Sequence, residues 1–182
     1  MNKKIRWITE TAIMLALLVT LQALTKPMGQ LVTGSCVNAV LAVAALVGGM
    51  ASGITVALIS PVLAFLLGIA PQVLTVPAIM VGNSVYVILL SKVADSAGKN
   101  LVQQAAAWLL AAVAKFAVLY TLVVVLICGP LSGSLLEAGL MKKPMIAMMT
   151  ASFSWPQLVT ALIGGALALA LVPVLKKALR KN

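Results

Sequence analysis

The chain has no histidine and only three acidic residues, Glu10, Asp95 and Glu137. A Ser-His-Asp triad and an HExxH zinc site are therefore impossible. No two of the acids share a helix face, so the pair needed for acid–base work does not form. Glu10 is the one acid near an apolar run, and it lies at that run's start, which argues against an intramembrane carboxylate relay. No GxxxxGK[ST] phosphate loop occurs, so the chain is not expected to hydrolyse ATP itself. No enzyme is predicted, and no cofactor or metal site. Aromatic residues make up only 4%. Charged residues make up 9%, against about a quarter in a soluble domain. The two cysteines, Cys36 and Cys128, map to one side of the expected topology. A disulfide between them is geometrically conceivable, and two small buried apolar residues is the simpler reading.

What the chain does have is apolar sequence: 63% hydrophobic residues and a mean hydropathy of +1.16. Such a chain cannot cover itself with water-facing groups, and its long apolar runs fit a bilayer. Almost no polar sequence lies outside the runs, so residues 1–182 are expected to form a single transmembrane domain. The first run is long, has Glu10 ahead of its apolar core, and lacks an AxA-like cleavage site, so it is read as part of the mature protein. The net charge of +10 is concentrated at the ends. Lys3, Lys4 and Arg6 precede the first run; Lys176, Lys177, Arg180 and Lys181 follow the last. The positive-inside rule then places both termini in the cytoplasm and makes the number of spans even. Basic clusters beside membrane segments, without a soluble module, do not suggest nucleic acid.

An all-α fold of six transmembrane helices is predicted, over 5–24, 35–47, 52–69, 73–91, 101–128 and 154–176. Lys26-Pro27-Met28-Gly29, Gly48-Gly49, Gly68 with Pro71, and 95–100 break the runs. Ser154-Trp155-Pro156 reads as a helix start. Pro61, Pro77 and Pro173 lie inside runs and are expected to kink them. Lys92 and Lys99 fall in an inner loop as the charge rule requires, whereas Lys26, Lys142 and Lys143 fall outside. The second helix, about 13 residues and 20 Å long, is short for a core of about 30 Å. Either it begins nearer Gln30, or TKPMGQLVTGSCVNA (25–39) is an irregular cavity wall on the outer side.

The membrane-embedded polar side chains are few: Asn38, Gln72, Asn83, Ser84, Tyr86, Lys115, Tyr120, Ser154 and Gln157. Most fall in the outer half. Each alone is explained by an interhelical hydrogen bond; grouped, they suggest a ligand site. Lys115 stands in AWLLAAVAKFAVLYTLVVVL (107–126). If the helix spans 101–128, this ammonium is about 20 Å from either end and should face a cavity, with Ala111, Ala112, Val118 and Leu119 as neighbours. If the hydrocarbon segment begins at Trp108, behind Gln103 and Gln104, Lys115 is shallow enough to snorkel. In the cavity reading its natural partner is an anionic group on a small molecule, and Tyr120 and Trp155 offer flat apolar contact. The candidate ligand-binding set is Lys115, Asn83, Asn38, Tyr120, Trp155, Tyr86, Gln72 and Gln157.

In the first helix, Ala12 and Ala16 make a small-xxx-small pair that lets another helix approach closely; Gly49 and Gly53 repeat the spacing. With TETAIMLALLVTLQAL (9–24), the proline-glycine loop after it, the PQVLTVPAIMVGN stretch (71–83) and the basic tail, the chain resembles the substrate-binding S component of an energy-coupling factor (ECF) transporter. The resemblance covers the whole length. It implies a six-helix bundle whose outward pocket is built by the outer ends of helices four to six and capped by the loop after helix one. It also implies a vitamin or related micronutrient as cargo. Ala12 and Ala16 would then dock on a membrane-embedded T subunit that works with two ATPase subunits, and transport would proceed by toppling of the S component. The chain departs from the aromatic-rich pocket of the thiamine binders and from the glycine-rich signature of the biotin binders, so no vitamin is named. The rival readings are a self-contained small secondary transporter or channel, weakened by the lack of an inverted repeat, and a ligand-free membrane scaffold.

Overall fold

A computed structural model describes residues 2–70, 72–97 and 101–180. Pro71, Lys99 and Lys181 lie outside them, as do the side chains of Lys3, Asp95 and Arg180. Among the described residues there is no strand, and six helical segments are long and apolar enough to cross a membrane.

Helix α1 (Lys3–Thr25) is capped by Asn2, whose Oδ1 accepts the Lys4 amide at 3.0 Å. Pro27 ends it in one turn of 3-10 helix, Lys26–Met28, and Gly29 turns the chain at φ +90°, a value only glycine adopts freely. Helix α2 (Gln30–Val47) starts at once. It has 18 residues, about 27 Å of rise, so of the two expected alternatives the start nearer Gln30 holds: residue 35 is too late, and the 30–39 stretch is regular helix, not an irregular wall. Gly49, at φ +85°, leads into α3 (Gly49–Leu66), which contains Pro61. A 3-10 turn at Val73–Thr75 precedes α4 (Val76–Ala97). Helix α5 (Leu101–Leu119) widens into π-helix over Tyr120–Ile127. The segment 129–153, read from sequence as a loop, carries two short helices, α6 (Ser132–Glu137) and α7 (Lys143–Phe153). Ser154 breaks the backbone before α8 (Trp155–Arg180).

Helix α2 is the hub, packing against α1, α3, α4 and α8. Its run Val40, Leu41, Ala42, Val43, Ala44 and Ala45 is buried all round, as expected of an apolar helix surrounded by others. The α2–α8 seam depends on missing side chains. A Cβ on Gly164 would fall 2.5 Å from the Asn38 Cβ and 2.6 Å from the Ser35 carbonyl oxygen, and one on Gly34 would fall 2.8 Å from Thr160. Gly53 plays the same part against Ala45 and Val87, whereas a Cβ on Gly49 would meet nothing within 4 Å, so only one member of that predicted pair serves close packing inside the bundle.

The alternation of six spans gives the bundle two ends. The terminal end holds the start of α1, the α2–α3 turn, the end of α4, the start of α5 and the end of α8. The loop end holds the α1–α2 and α3–α4 turns and the α6–α7 segment. Lys26 Nζ donates to the Gly68 carbonyl at 2.7 Å and ties the first two of these loop-end turns together. Helix α7 packs on the π-helix and α8. A second apolar core, with Ala78, Leu119, Val123, Met141 and Met149 buried in it, roots it there.

Candidate functional site

Helix α5 buries one stripe, Ala107, Ala111, Ala112, Lys115 and Leu119. These positions recur every turn, so they share a face. Alanines on that face let the neighbouring helices close in, and the only polar group on it is the Lys115 ammonium. Lys115 is 2% exposed. The snorkelling alternative is therefore excluded: the side chain turns inward, while Gln103 is exposed.

The ammonium sits at a junction of three helices. Its Nζ donates to Asn38 Oδ1 on α2 at 2.5 Å and to Asn83 Oδ1 on α4 at 2.6 Å. Asn38 is pinned in turn: its Nδ2 donates to Thr160 Oγ1 at 3.2 Å, and its Cβ packs on Gly164. Asn83 shares a buried stripe with Tyr86, Val87 and Leu90. The Tyr86 ring lies beneath the ammonium, 5.4 Å from Nζ to the ring centroid. Its hydroxyl donates to the Ala161 carbonyl at 3.2 Å, which Trp108 Nε1 also approaches at 3.4 Å. Removing an ammonium from water costs several kcal/mol. Charge-assisted hydrogen bonds, at about 1.5–3 kcal/mol each, offset part of that. Neither asparagine carries a charge, so a positive charge on this group is hydrogen-bonded by the protein but not neutralised by it.

Above this junction lies a cavity of about 220 Å³ that runs toward the loop end. Lys115, Asn38 and Asn83 line it, with Gln72 and Gln157 further along. Gln157 is oriented by its Nε2 donating across the helix break to the Ser152 carbonyl at 3.1 Å. Apolar walls come from Val37, Ile79 and Leu119, and the α7 residues Met148, Met149 and Phe153 close one side. Near the mouth are Gln22, Lys26, Gln30 and Thr33. Two polar atoms there, Gln22 Oε1 and Thr33 Oγ1, are buried without a hydrogen-bond partner. Such atoms are uncommon in native proteins and each calls for an explanation.

The structure thus brings five of the eight candidate residues to one cavity. Tyr86 is 0% exposed and supports the junction from below without lining the space. Tyr120 and Trp155 are corrections. They are 39% and 62% exposed on the outer surface of the bundle, away from the cavity. Ser84 and Ser154 bond to carbonyls of their own chain segments, those of Met80 and Thr150. Sequence reasoning missed Gln22, Lys26, Gln30, Thr33 and the α7 wall as individual residues, although it marked 25–39 as a cavity-wall candidate. Cys36 and Cys128 are free thiols, each half-buried, so the conceivable disulfide is not formed.

Away from the cavity, Ala12 and Ala16 are exposed on α1 beside Ile5, Ile8, Ile13 and Leu17. Among the described residues, no cluster of three His, Cys, Asp or Glu side chains is placed to hold a metal. Comparison with protein-family models, curated proteins and solved structures gave no match.

Proposed function

We propose that this chain is the membrane-embedded substrate-binding subunit of an ECF-type uptake transporter. It captures a vitamin or related micronutrient and hands it inward with the help of a T subunit and two ATPase subunits. The observation that carries this reading is the loop-end cavity, with a buried lysine held by two amides at its floor and two orphaned polar atoms near its mouth. A scaffold has no use for unmet hydrogen-bonding groups around an internal space; a bound molecule satisfies them.

The volume of about 220 Å³ is below the usual range for drug-sized ligands, which suits a compact nutrient. The basic clusters at the two ends favour a cytoplasmic terminal end in a bacterial cell membrane, so the cavity opens outward. The exposed Ala12–Ala16 face of α1 supports docking on a second membrane protein, since small residues let two helix backbones approach.

The test has two stages. Mass spectrometry of small molecules released from the purified chain identifies the cargo, and uptake of that molecule is then followed in isotopically labelled form. Uptake should require the ATPase partners. Replacing Ala12 and Ala16 together by leucine should abolish uptake while leaving the bound molecule in place. Uptake by the chain alone would instead establish a self-contained transporter. Loss of both binding and uptake in the leucine variant would make those alanines structural.

A further inference from the structure

We infer that the cargo is a compact organic acid whose carboxylate is buried against Lys115, with a hydrogen-bond donor at its other end near Gln22 and Thr33. This deepens the binding-subunit reading and rests on it.

The chain has three acids. Glu10 is engaged with Arg6 at 2.7 Å on the terminal half of α1, and Glu137 is exposed on α6. Asp95 follows Asn83 by 12 positions on α4, about 18 Å along the axis and toward the terminal end. Among the described residues no carboxylate lines the cavity. Two amide oxygens occupy two of the three ammonium hydrogens. Among the described residues no further oxygen acceptor meets Nζ, whose other neighbour is the Tyr86 ring at 5.4 Å, or the Asn83 Nδ2. Two neighbouring donors, one of them cationic, therefore border the cavity floor. A carboxylate has two acceptor oxygens and one negative charge, which matches that pair and neutralises the ion where burial makes neutralisation worth most.

The rest of the cavity agrees in sign. Lys26 and the first turn of α2, at Gly29 and Gln30, are at the mouth, and a helix start favours negative charge. The orphaned Gln22 Oε1 is different. An amide oxygen can only accept, so it calls for a donor on the ligand. The ligand thus has two ends of different kinds, separated by a middle small enough for the Ile79, Leu119 and Phe153 walls.

A single cavity-floor substitution separates this inference from its parent. Asn83→Asp is nearly isosteric and gives Lys115 an internal carboxylate. The probe is an aqueous yeast extract passed over anion-exchange resin at neutral pH, giving a retained, anionic fraction and a flow-through of neutral and cationic solutes. Thermal stability of the full chain in detergent is measured with each. The expected result is stabilisation by the retained fraction and none by the flow-through. Methyl esterification of the retained fraction should abolish the effect, and phosphatase treatment should leave it unchanged. Asn83→Asp should stay folded and respond at least about 30-fold more weakly in fraction concentration, the range for breaking a buried hydrogen-bonded charge pair. Stabilisation by the flow-through alone that survives methyl esterification of that fraction would overturn the acid while leaving the binding subunit intact. Loss of the effect with phosphatase rather than esterification would overturn the carboxylate in favour of a phosphate. Stabilisation by neither fraction would contradict the binding-subunit reading and this inference with it. Should Asn83→Asp fail to fold, Lys115→Met, which removes the cation outright, must show the same loss, and an undiminished response would overturn the inference.

Discussion

The two ends of this bundle each hold a cavity, and the two differ in chemistry more than in size. The terminal-end cleft, about 270 Å³, is bordered by Leu46, Leu90, Ala107, Leu169, Val172 and Pro173, with Gln104 and Lys176 as its polar members. The loop-end cavity is slightly smaller at about 220 Å³, yet it gathers six amide side chains and two lysines. The terminal end is closed by long helices packed on the α2 hub. The loop end is closed by 3-10 turns, a π-helix and the short α7. Polar groups at membrane depth are expensive and are kept where they bind something. Apolar space between helices carries no such implication. The comparison teaches that volume does not locate a binding site in a membrane bundle; open hydrogen-bonding capacity that lines the space does, as at Gln22 and Thr33, whereas the unpartnered Ser91 Oγ in the terminal half of α4 lines neither cavity.

The comparison breaks most sharply at Lys115. Lys115→Met should weaken ligand binding by about 2–5 kcal/mol, the range for truncating one member of a buried, hydrogen-bonded charge pair. Isothermal titration with the identified cargo checks this. An unchanged affinity would reduce the lysine to an interhelical tie.

A next, somewhat smaller effect is expected in the frame that holds Asn38. Gly164→Val places a branched side chain where a Cβ already meets Asn38 and the Ser35 carbonyl. It should lower stability by about 1–3 kcal/mol and reduce affinity by displacing Asn38, both visible in thermal melts with and without cargo. A variant as stable as the parent would show that the α2–α8 seam tolerates separation.

Gln22→Leu sharpens the contrast in the opposite direction. Removing an orphaned buried oxygen should stabilise the ligand-free protein by about 1 kcal/mol while weakening binding. A melt that falls without ligand would mean that Gln22 has a structural partner instead.

The smallest effect belongs to the terminal end. Leu169→Phe narrows that cleft and should change cargo affinity by less than about twofold, because sites far apart without shared partners act nearly independently. A large loss would couple the two ends and undo the comparison.

Much of the frame was legible from residues alone. Gly29 and Gly49, both at positive φ, stand where the runs were predicted to break, and the six spans follow from apolar runs long enough for a bilayer. The α2 start was legible only as one of two alternatives, residue 35 or nearer Gln30, because Gln30 and Thr33 look like loop residues until their cavity-facing environment is known. The 129–153 segment was missed for a related reason. Helices of 6 and 11 residues fall below the length at which helical propensity declares itself, and they are held in a shared apolar core with Ala78, Leu119 and Val123.

Within the site, the inward turn of Lys115 was half legible. Its alanine-rich face was readable, but its partners Asn38 and Asn83 stand 77 and 32 residues away in sequence, and no local pattern announces such a meeting. The misplacement of Tyr120 and Trp155 was avoidable in principle. Tyr120 follows Lys115 by five positions and Trp155 precedes Gln157 by two, offsets that place each on the far side of an α-helix from its polar neighbour. The exposed side of α1 was marked by Ala12 and Ala16, yet a small-residue pair alone does not say whether it faces its own bundle, as Gly53 does, or outward.

The most direct measurement is native mass spectrometry of the full chain released from its membrane, with the parent and Lys115→Met compared side by side. The account predicts one small molecule bound per parent chain, with the adduct absent or sharply depleted in the variant. An adduct of equal mass and occupancy in both would place the ligand away from Lys115 and contradict it.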